Sequence, residues 1–302
     1  MSHETPFDIR LAPDASYVEV WSDAPPAFEP RDWKKALRAG IRDAVQHIRC
    51  SRDQMLDAYY CFRGRDNADT ENVLFYNIGA SNFRTAASSA IRFTRVFAHP
   101  PLTPGKRRRP VYLRYDIAPL EAPSRVWELQ TEPLARWQRV LLVLPSRSWG
   151  PSSGTQAGLY WLSMKRARPQ LGESPCHGRF ALDLTLHGPS AVNLTSVVKA
   201  LVDGVVASFQ AHRGPVADDA LSKLKHQLGS SAPDDDTLRA WLRDPELAVL
   251  GARDNLAMPR GPALWNPRDL DCVLCRLRFE PEHDGQWFLS GVLNAVVRAR
   301  VP

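Results

Sequence analysis

Residues 180–212 read FALDLTLHGPSAVNLTSVVKALVDGVVASFQAH. In FALDLTLHG, residues 180–188, apolar and polar positions alternate with the period of a strand that buries one face. From Leu194 to His212 the sequence LTSVVKALVDGVVASFQAH carries apolar residues at helical spacing and reads as a strong helix. A strand that feeds a helix through a short polar turn is the building unit of a mixed α/β fold.

Working outward, a helix-like piece around YWLSMKRAR precedes this unit, and before it lies the Gly/Ser/Pro-rich stretch SWGPSSGTQAG, residues 148–158, which has the composition of a linker. Upstream of the linker, YVEVW (17–21) alternates as a strand. Trp33, Leu37, Ile41, Ala44, Val45 and Ile48 recur at helical spacing over residues 32–49, with Asp32 as the cap. LDAYYCF (56–62) reads as a strand, then come the polar stretch RGRDNADTEN, a mixed apolar segment at 73–90 and the strand IRFTRVF. VYLRYDIAP reads as a further strand, followed by a short helix around Pro133–Trp137 that leads into VLLVLP. Downstream of the helix at 194–212, residues 217–254 are helix-rich, with Asp234, Asp235 and Asp236 capping a short helix around Leu238–Arg243, and strand-like runs at 270–279 and 287–299 close the chain. The series strand, polar turn, helix, strand therefore occurs once before the linker and once after it. We read a tandem duplication: a first unit over 1–147, a linker over 148–158, and a second unit over 159–302 with a helical insertion at about 217–262.

Composition bounds what such a chain can do. With 302 residues and 44% hydrophobic content it can bury one large core or two of domain size. The opening MSHETPFDIRLAPD has no basic region followed by an apolar stretch, and no window approaches the roughly 18 apolar residues of a membrane span, so a cytoplasmic protein with no membrane association is expected. Cysteines at 50, 61, 176, 272 and 275 form an odd, irregular set that suits reduced thiols better than a disulfide framework. Cys272 and Cys275 have redox or zinc spacing but sit in the strand-like LDCVLCRLRF. There, residues three apart point to opposite faces, which favours two packed thiols.

The formal charge of +6 and pI near 9.2 permit a polyanionic partner. The densest basic run, Lys106-Arg107-Arg108-Arg109, is bounded by prolines at 101, 104 and 110; it can lie along phosphates without reading sequence, or form an exposed hairpin tip. Trp127, Trp137, Trp149 and Trp161 lie among arginines and could stack on unpaired bases, although packing is the commoner role. No HExxH pair, no nucleophile elbow around Ser153, no P-loop and no dinucleotide-binding glycine fingerprint occurs, so zinc peptidase, serine hydrolase, nucleotide hydrolase and dinucleotide redox chemistry find little support in the sequence.

Metal-dependent nucleases need carboxylates that converge on one or two Mg²⁺ ions. The run Val198-Lys199-Ala200-Leu201-Val202-Asp203-Gly204, followed after a loop by Asp218-Asp219, resembles the RusA-type Holliday junction resolvase family, in which a D-x-D-N-x-x-K segment opens a helix, an Asp follows one turn later and an Asp-Asp pair lies past the helix. The resemblance covers roughly residues 180–224 and, more faintly, 56–95. It implies that Lys199 is the family's lysine, Asp203 its helix aspartate and Asp219 a metal-binding aspartate. The two leading aspartates are replaced by Asn193 and Thr195, and the asparagine by Ser196. The first half departs in the opposite way: Asp69-Thr70-Glu71-Asn72 matches D-x-D-N with one conservative change, but Phe75 stands at the lysine position, Gly79 at the helix-aspartate position, and no Asp-Asp pair follows.

Each half keeps what the other lacks. Two outcomes are open: both sites have decayed, or one composite Mg²⁺ centre joins Asp69 and Glu71 to Lys199 and Asp219. Simpler roles also exist, with Asp69 and Glu71 as helix-capping groups, Lys199 and Asp203 as an exposed ion pair worth a few tenths of a kcal/mol, and Asp218-Asp219 as the cap of the next helix. The resemblance implies an α/β (α+β) fold of two tandem RusA-like units, small mixed sheets covered by helices and packed as an intramolecular pseudo-dimer. The functional expectation is a catalytically degenerate, DNA-associated binding or assembly subunit that engages branched or single-stranded DNA and other protein subunits. The alternatives are an active Mg²⁺-dependent endonuclease and a protein-interaction scaffold with no nucleic-acid role.

Overall fold

A computed structural model describes residues 5–62, 68–143, 153–257 and 264–299. In chain order its elements are β1 (Phe7–Leu11), β2 (Tyr17–Ser22), α1 (Trp33–Val45), β3 (Gln54–Phe62), a π-helical turn (Asn72–Tyr76), a 3-10 turn (Ala80–Phe83), β4 (Ala90–Val96), β5 (Val111–Pro119) and β6 (Trp127–Leu141). There follow α2 (Ser153–Ala167), β7 (Gln170–Leu171), β8 (Phe180–Gly188), α3 (Leu194–Ser208), β9 (Ala211–His212), α4 (Asp218–Leu228), α5 (Asp235–Arg243), β10 (Ala252–Arg253), β11 (Leu256–Ala257), β12 (Leu264–Trp265), a 3-10 turn (Asp269–Asp271), β13 (Cys272–Pro281) and β14 (Phe288–Arg298). Among the described residues no helix is long and apolar enough to cross a membrane.

The expected pair of small sheets is instead one ten-stranded mixed sheet, ordered β1-β2-β5-β3-β4-β13-β8-β14-β6-β7. The two halves join where β4 pairs antiparallel with β13, with Arg92 directly opposite Arg276. On either side of that seam the order is the same: β2-β5-β3-β4 in the first half and β6-β14-β8-β13 in the second, each with two antiparallel pairings followed by one parallel pairing. Asp57 on β3 stands beside Arg92 on β4, and Asp183 on β8 stands beside Arg276 on β13.

Helices cover one face of this sheet. On β8, Phe180, Leu182, Leu184 and Leu186 enter a single core with residues from both halves, while Asp183, Thr185 and His187 turn to the other face. The central helix is α3, apolar nearly all round because α2 packs on one side and the π-helical turn on another. Gly204 permits the close approach of α2: a Cβ there would meet Ala157 O at 2.4 Å and Tyr160 Cβ at 2.6 Å.

Several local expectations are corrected. The segment Pro133–Trp137 is not a helix but the middle of β6, where Pro133 sits at a register shift and only the two-residue β7 flanks the strand on its outer side. Of the linker stretch, residues 153–158 are already helical in α2, and 148–152 lie outside the described residues, as does Trp149. Asp32 precedes α1 without a side-chain capping hydrogen bond, whereas Asp234 caps α5 through Thr237 N at 2.8 Å. A bulge between Cys272 and Leu274 defeats the alternation argument for the cysteine pair: Cys272 and Cys275 both enter the helix-covered core, as free thiols whose pKa burial pushes up. Trp137 and Trp161 are core residues, and Trp127 donates its indole N–H to Arg95 O at 2.8 Å.

Candidate metal centre at the seam between the halves

The site lies where β3 and β4, which run parallel, end together, beside the start of antiparallel β13. Asp69 and Glu71 open the helical turn that runs into Asn72–Tyr76. Asn72 Nδ2 donates to Asp69 Oδ2 at 2.7 Å, Val73 N donates to Asp69 O at 3.1 Å, and the Tyr115 hydroxyl donates to Leu74 O at 2.8 Å. Arg95, near the end of β4, donates to Ala68 O at 2.8 Å and so ties this segment to the sheet edge.

From α3, Lys199 and Asp203 project one turn apart toward the same point. Lys199 Nζ lies 3.0 Å from Asp69 Oδ2, 3.1 Å from Glu71 Oε1, 2.7 Å from Asp203 Oδ1 and 3.0 Å from Asp269 Oδ2. Asp269 comes from the 3-10 turn before β13. That turn is held by Arg268, which bonds Asp271 and donates to His177 O at 2.8 Å, while its own N–H donates to Gln210 Oε1 at 3.2 Å.

One ammonium cannot satisfy four carboxylates. Its hydrogen bonds go to Asp69, Asp203 and Asp269, and Glu71, only 1% exposed, is left with neither carboxylate oxygen in a well-formed hydrogen bond. Burial raises the Glu71 pKa to about 7, with Lys199 opposing and Asp269 and Asp69 adding to the rise. Burial also raises Asp69 and Asp203, again against the Lys199 charge. Burial works to deprotonate Lys199, but the four surrounding carboxylates outweigh it and hold its pKa well above the ordinary value. With every group ionised the cluster carries more negative than positive charge, which protons or a cation must balance. Carboxylate oxygens of Asp69, Glu71 and Asp269 lie within 4.8 Å of one another, a hard-oxygen set of the kind Mg²⁺ takes. The three carboxylates have the chemistry to take a divalent cation once the Lys199 ammonium, 3.0–3.1 Å from all three, moves toward Asp203.

The structure thus brings Asp69, Glu71 and Lys199 together across the seam but leaves Asp219 out. Asp219 lies in the first turn of α4, its side chain 71% exposed and paired with Lys223 at 2.9 Å, while Asp218 pairs with Arg239. Asp269 is the third carboxylate. Its sequence signal is Asp269-Leu270-Asp271 directly before the strand CVLCRLRF, also past the helix but much further along the chain. Lys199 and Asp203 are not an isolated exposed pair, because Asp269 and the first half's acids close around them.

The basic run divides as well. Lys106, Arg107 and Arg108 are exposed in the loop that leaves β4, and that loop starts on the same sheet edge as the cluster. Arg109 is buried and structural: it pairs with Asp8 at 2.9 Å and Asp23 at 2.8 Å and donates to Thr5 O. On the site's edge Arg179 stacks over Phe97 at 3.8 Å from the ring centre, and its pKa is lowered by burial and by Arg95 and Arg298, against the pull of Asp271. No family model matches the chain, and neither a curated protein nor a solved structure matches it.

Proposed function

We propose that the protein is a divalent-metal-dependent phosphodiester hydrolase acting on nucleic acid through one composite centre, built by two tandem RusA-like halves packed as an intramolecular pseudo-dimer. The observation that carries the reading is the buried, incompletely bonded carboxylate of Glu71 facing Asp69 and Asp269, with Lys199 beside it. Decay of both halves gives no reason to keep four carboxylates and an ammonium converging from three segments of the chain, since unpaired buried charge costs several kcal/mol.

Asp69, Glu71 and Asp269 would hold Mg²⁺, which when bound supplies an activated water and neutralises charge on the phosphodiester. The other groups act directly. Asp203 pairs with Lys199 at 2.7 Å from one helical turn away and orients its ammonium, which stays protonated; with Asp69 and Asp269 given over to a metal, two of its three N–H donors are released for a phosphate oxygen. The exposed Arg179 and Arg298, close enough that Arg298 lowers the pKa of Arg179, form a positive edge for a phosphate backbone beside the centre, with buried Arg95 behind them. The exposed Lys106, Arg107 and Arg108 extend that edge.

The test is a titration of purified protein against a labelled four-way junction, a linear duplex and single-stranded DNA in low salt, with and without Mg²⁺, followed by denaturing gels. Metal-dependent cleavage lost in Asp69→Asn and in Asp269→Asn, and kept in Asp219→Asn, is the expected result. Salt-sensitive binding without cleavage under any divalent metal would leave a degenerate binding subunit, and binding to none of the three forms would leave a scaffold.

A further inference from the structure

We infer that the chain carries one reaction centre and one blind counterpart related to it by the internal symmetry, so that it cuts a single strand of a two-fold symmetric nucleic acid in each engagement. This rests on the nuclease reading above and specifies its product.

The internal symmetry is visible in the sheet. Arg92 and Arg276 face each other at the centre of the β4–β13 pairing, and each is bound by the aspartate of its own half: Arg92 by Asp57 at 2.6 Å and Arg276 by Asp183. The strand orders on the two sides are equivalent, so the segment between β3 and β4 corresponds to the segment between β8 and β13. Within those segments the notation D-x-E-N at Asp69–Asn72 corresponds to N-x-T-S at Asn193–Ser196, Phe75 to Lys199 and Gly79 to Asp203.

The contacts are reciprocal in the way this correspondence requires. Asp69 and Glu71, ahead of the first half's π-helical turn, reach the ammonium of Lys199 in the middle of α3, which Asp203 shares. Asn193 and Thr195, at the head of α3, reach back to the residue after Gly79: Asn193 Nδ2 donates to Ala80 O at 2.7 Å and Thr195 Oγ1 lies 3.2 Å from the same oxygen. Two loci therefore exist, but their chemistry differs.

At the first locus three carboxylates converge, and Glu71 is buried with carboxylate oxygens that lack a hydrogen-bond partner. At the second, the neutral groups of Asn193 and Thr195 bond to each other at 2.8 Å and to Ala80. Phe75, in the place of the lysine, is buried and meets Phe83 edge-on at 5.4 Å. The connection from Gly79 to β4, ASNFRTAASS over residues 80–89, contains no Asp or Glu that could replace Asp269. A neutral set whose donors are already engaged cannot compensate a divalent cation.

Two strands related by the substrate's own two-fold axis would meet one competent and one incompetent locus. At the competent one, water adds across one P–O bond of the backbone, leaving a phosphate monoester on one side and a hydroxyl on the other. The second strand stays intact, and the product is a nick.

The closing experiment uses the full chain with a supercoiled plasmid bearing an inverted repeat and a four-way junction labelled on each strand, substrate in excess, with Mg²⁺. A parallel calorimetric Mn²⁺ titration needs no catalysis. Open-circular plasmid should accumulate at least about ten-fold faster than linear, each junction should carry one cut, and Asp69→Asn should remove cuts from all strands alike and abolish Mn²⁺ binding, whereas Asn193→Ala should leave both within about two-fold. Paired cuts appearing as fast as the nick would overturn the inference while leaving metal-dependent hydrolysis standing; strand-specific cutting or Mn²⁺ binding that survives in Asp69→Asn would overturn the inference together with the centre assigned to Asp69. Absence of any cleavage by the unaltered chain would overturn the nuclease reading, and the Mn²⁺ titration would still count the loci.

Discussion

Replacing Glu71 by glutamine keeps the side chain's shape and removes its charge, and the consequence for stability follows from the site's electrostatics. Burial moves the Glu71 pKa from 4.5 to about 7. At about 1.4 kcal/mol per pKa unit, that displacement corresponds to up to about 3 kcal/mol. The sign is that of a carboxyl which binds its proton more tightly in the folded state: the stability is fully present below pH 4.5 and is lost as pH rises through about 7. The groups facing Glu71 do not reverse this. Asp69 and Asp203 are displaced in the same direction, Lys199 is held charged well beyond the window, and the Cys272 and Cys275 thiols are raised away from it. Metal-free protein should therefore lose up to about 3 kcal/mol of unfolding free energy as pH rises from about 4.5 to about 7, and Glu71→Gln should be more stable than the unaltered chain above that range and close to it below. Saturating Mg²⁺ should restore the unaltered chain and do much less for the variant, because a ligand stabilises only the state that binds it. Urea unfolding followed by tryptophan fluorescence, in chelator and in Mg²⁺, measures all four conditions. An identical pH slope in the two proteins, or a variant less stable than its parent at about pH 8 without metal, would refute the account of a charge-frustrated centre.

Other perturbations test the frame around the site. Gly204→Ala should cost about 1–3 kcal/mol by urea unfolding, since its Cβ would run into Ala157 O and Tyr160 Cβ. Arg92→Ala should cost about 3–5 kcal/mol by leaving buried Asp57 unpaired, and adding Asp57→Ala should recover part of the loss. Asp219→Asn should change stability by less than about 0.5 kcal/mol, because its ion pair with Lys223 is exposed. Replacing Lys106, Arg107 and Arg108 together by alanine should weaken DNA binding and flatten its salt dependence with little change in Tm, whereas Arg109→Ala should lower Tm by depriving Asp8 and Asp23 of the guanidinium that ties the β1–β2 edge to the loop before β5.

Local pattern and tertiary outcome agree wherever a segment's environment is uniform. VYLRYDIAP and FALDLTLHG form strands over the residues expected, 111–119 and 180–188, because alternation already states which face is buried. The segment around Pro133 misleads because a proline and short apolar spacing suggest a helix, and only the pairing with β14, with its register shifts, shows that an outlying strand tolerates both. Asp69, Glu71 and Lys199 were legible as candidates from their order in two incomplete motifs. Asp269 was not, because the intervening α4 and α5 separate it from α3 and place a more conspicuous Asp218-Asp219 pair nearer in sequence.

The amino-acid sequence by itself determines a mixed α/β chain with two similar runs of elements, a basic balance, and two motif fragments that each lack the other's charged groups. It does not determine whether those fragments meet. That depends on the antiparallel pairing of β4 with β13, which merges two prospective sheets into one and sets the head of one half's helical turn against the middle of the other half's helix. Proximity between residues more than a hundred positions apart is a property of strand register and helix packing, which no local periodicity encodes. Only there do Asp69 and Glu71 come within 3.1 Å of Lys199, and only there does Asn193 meet the backbone oxygen of Ala80.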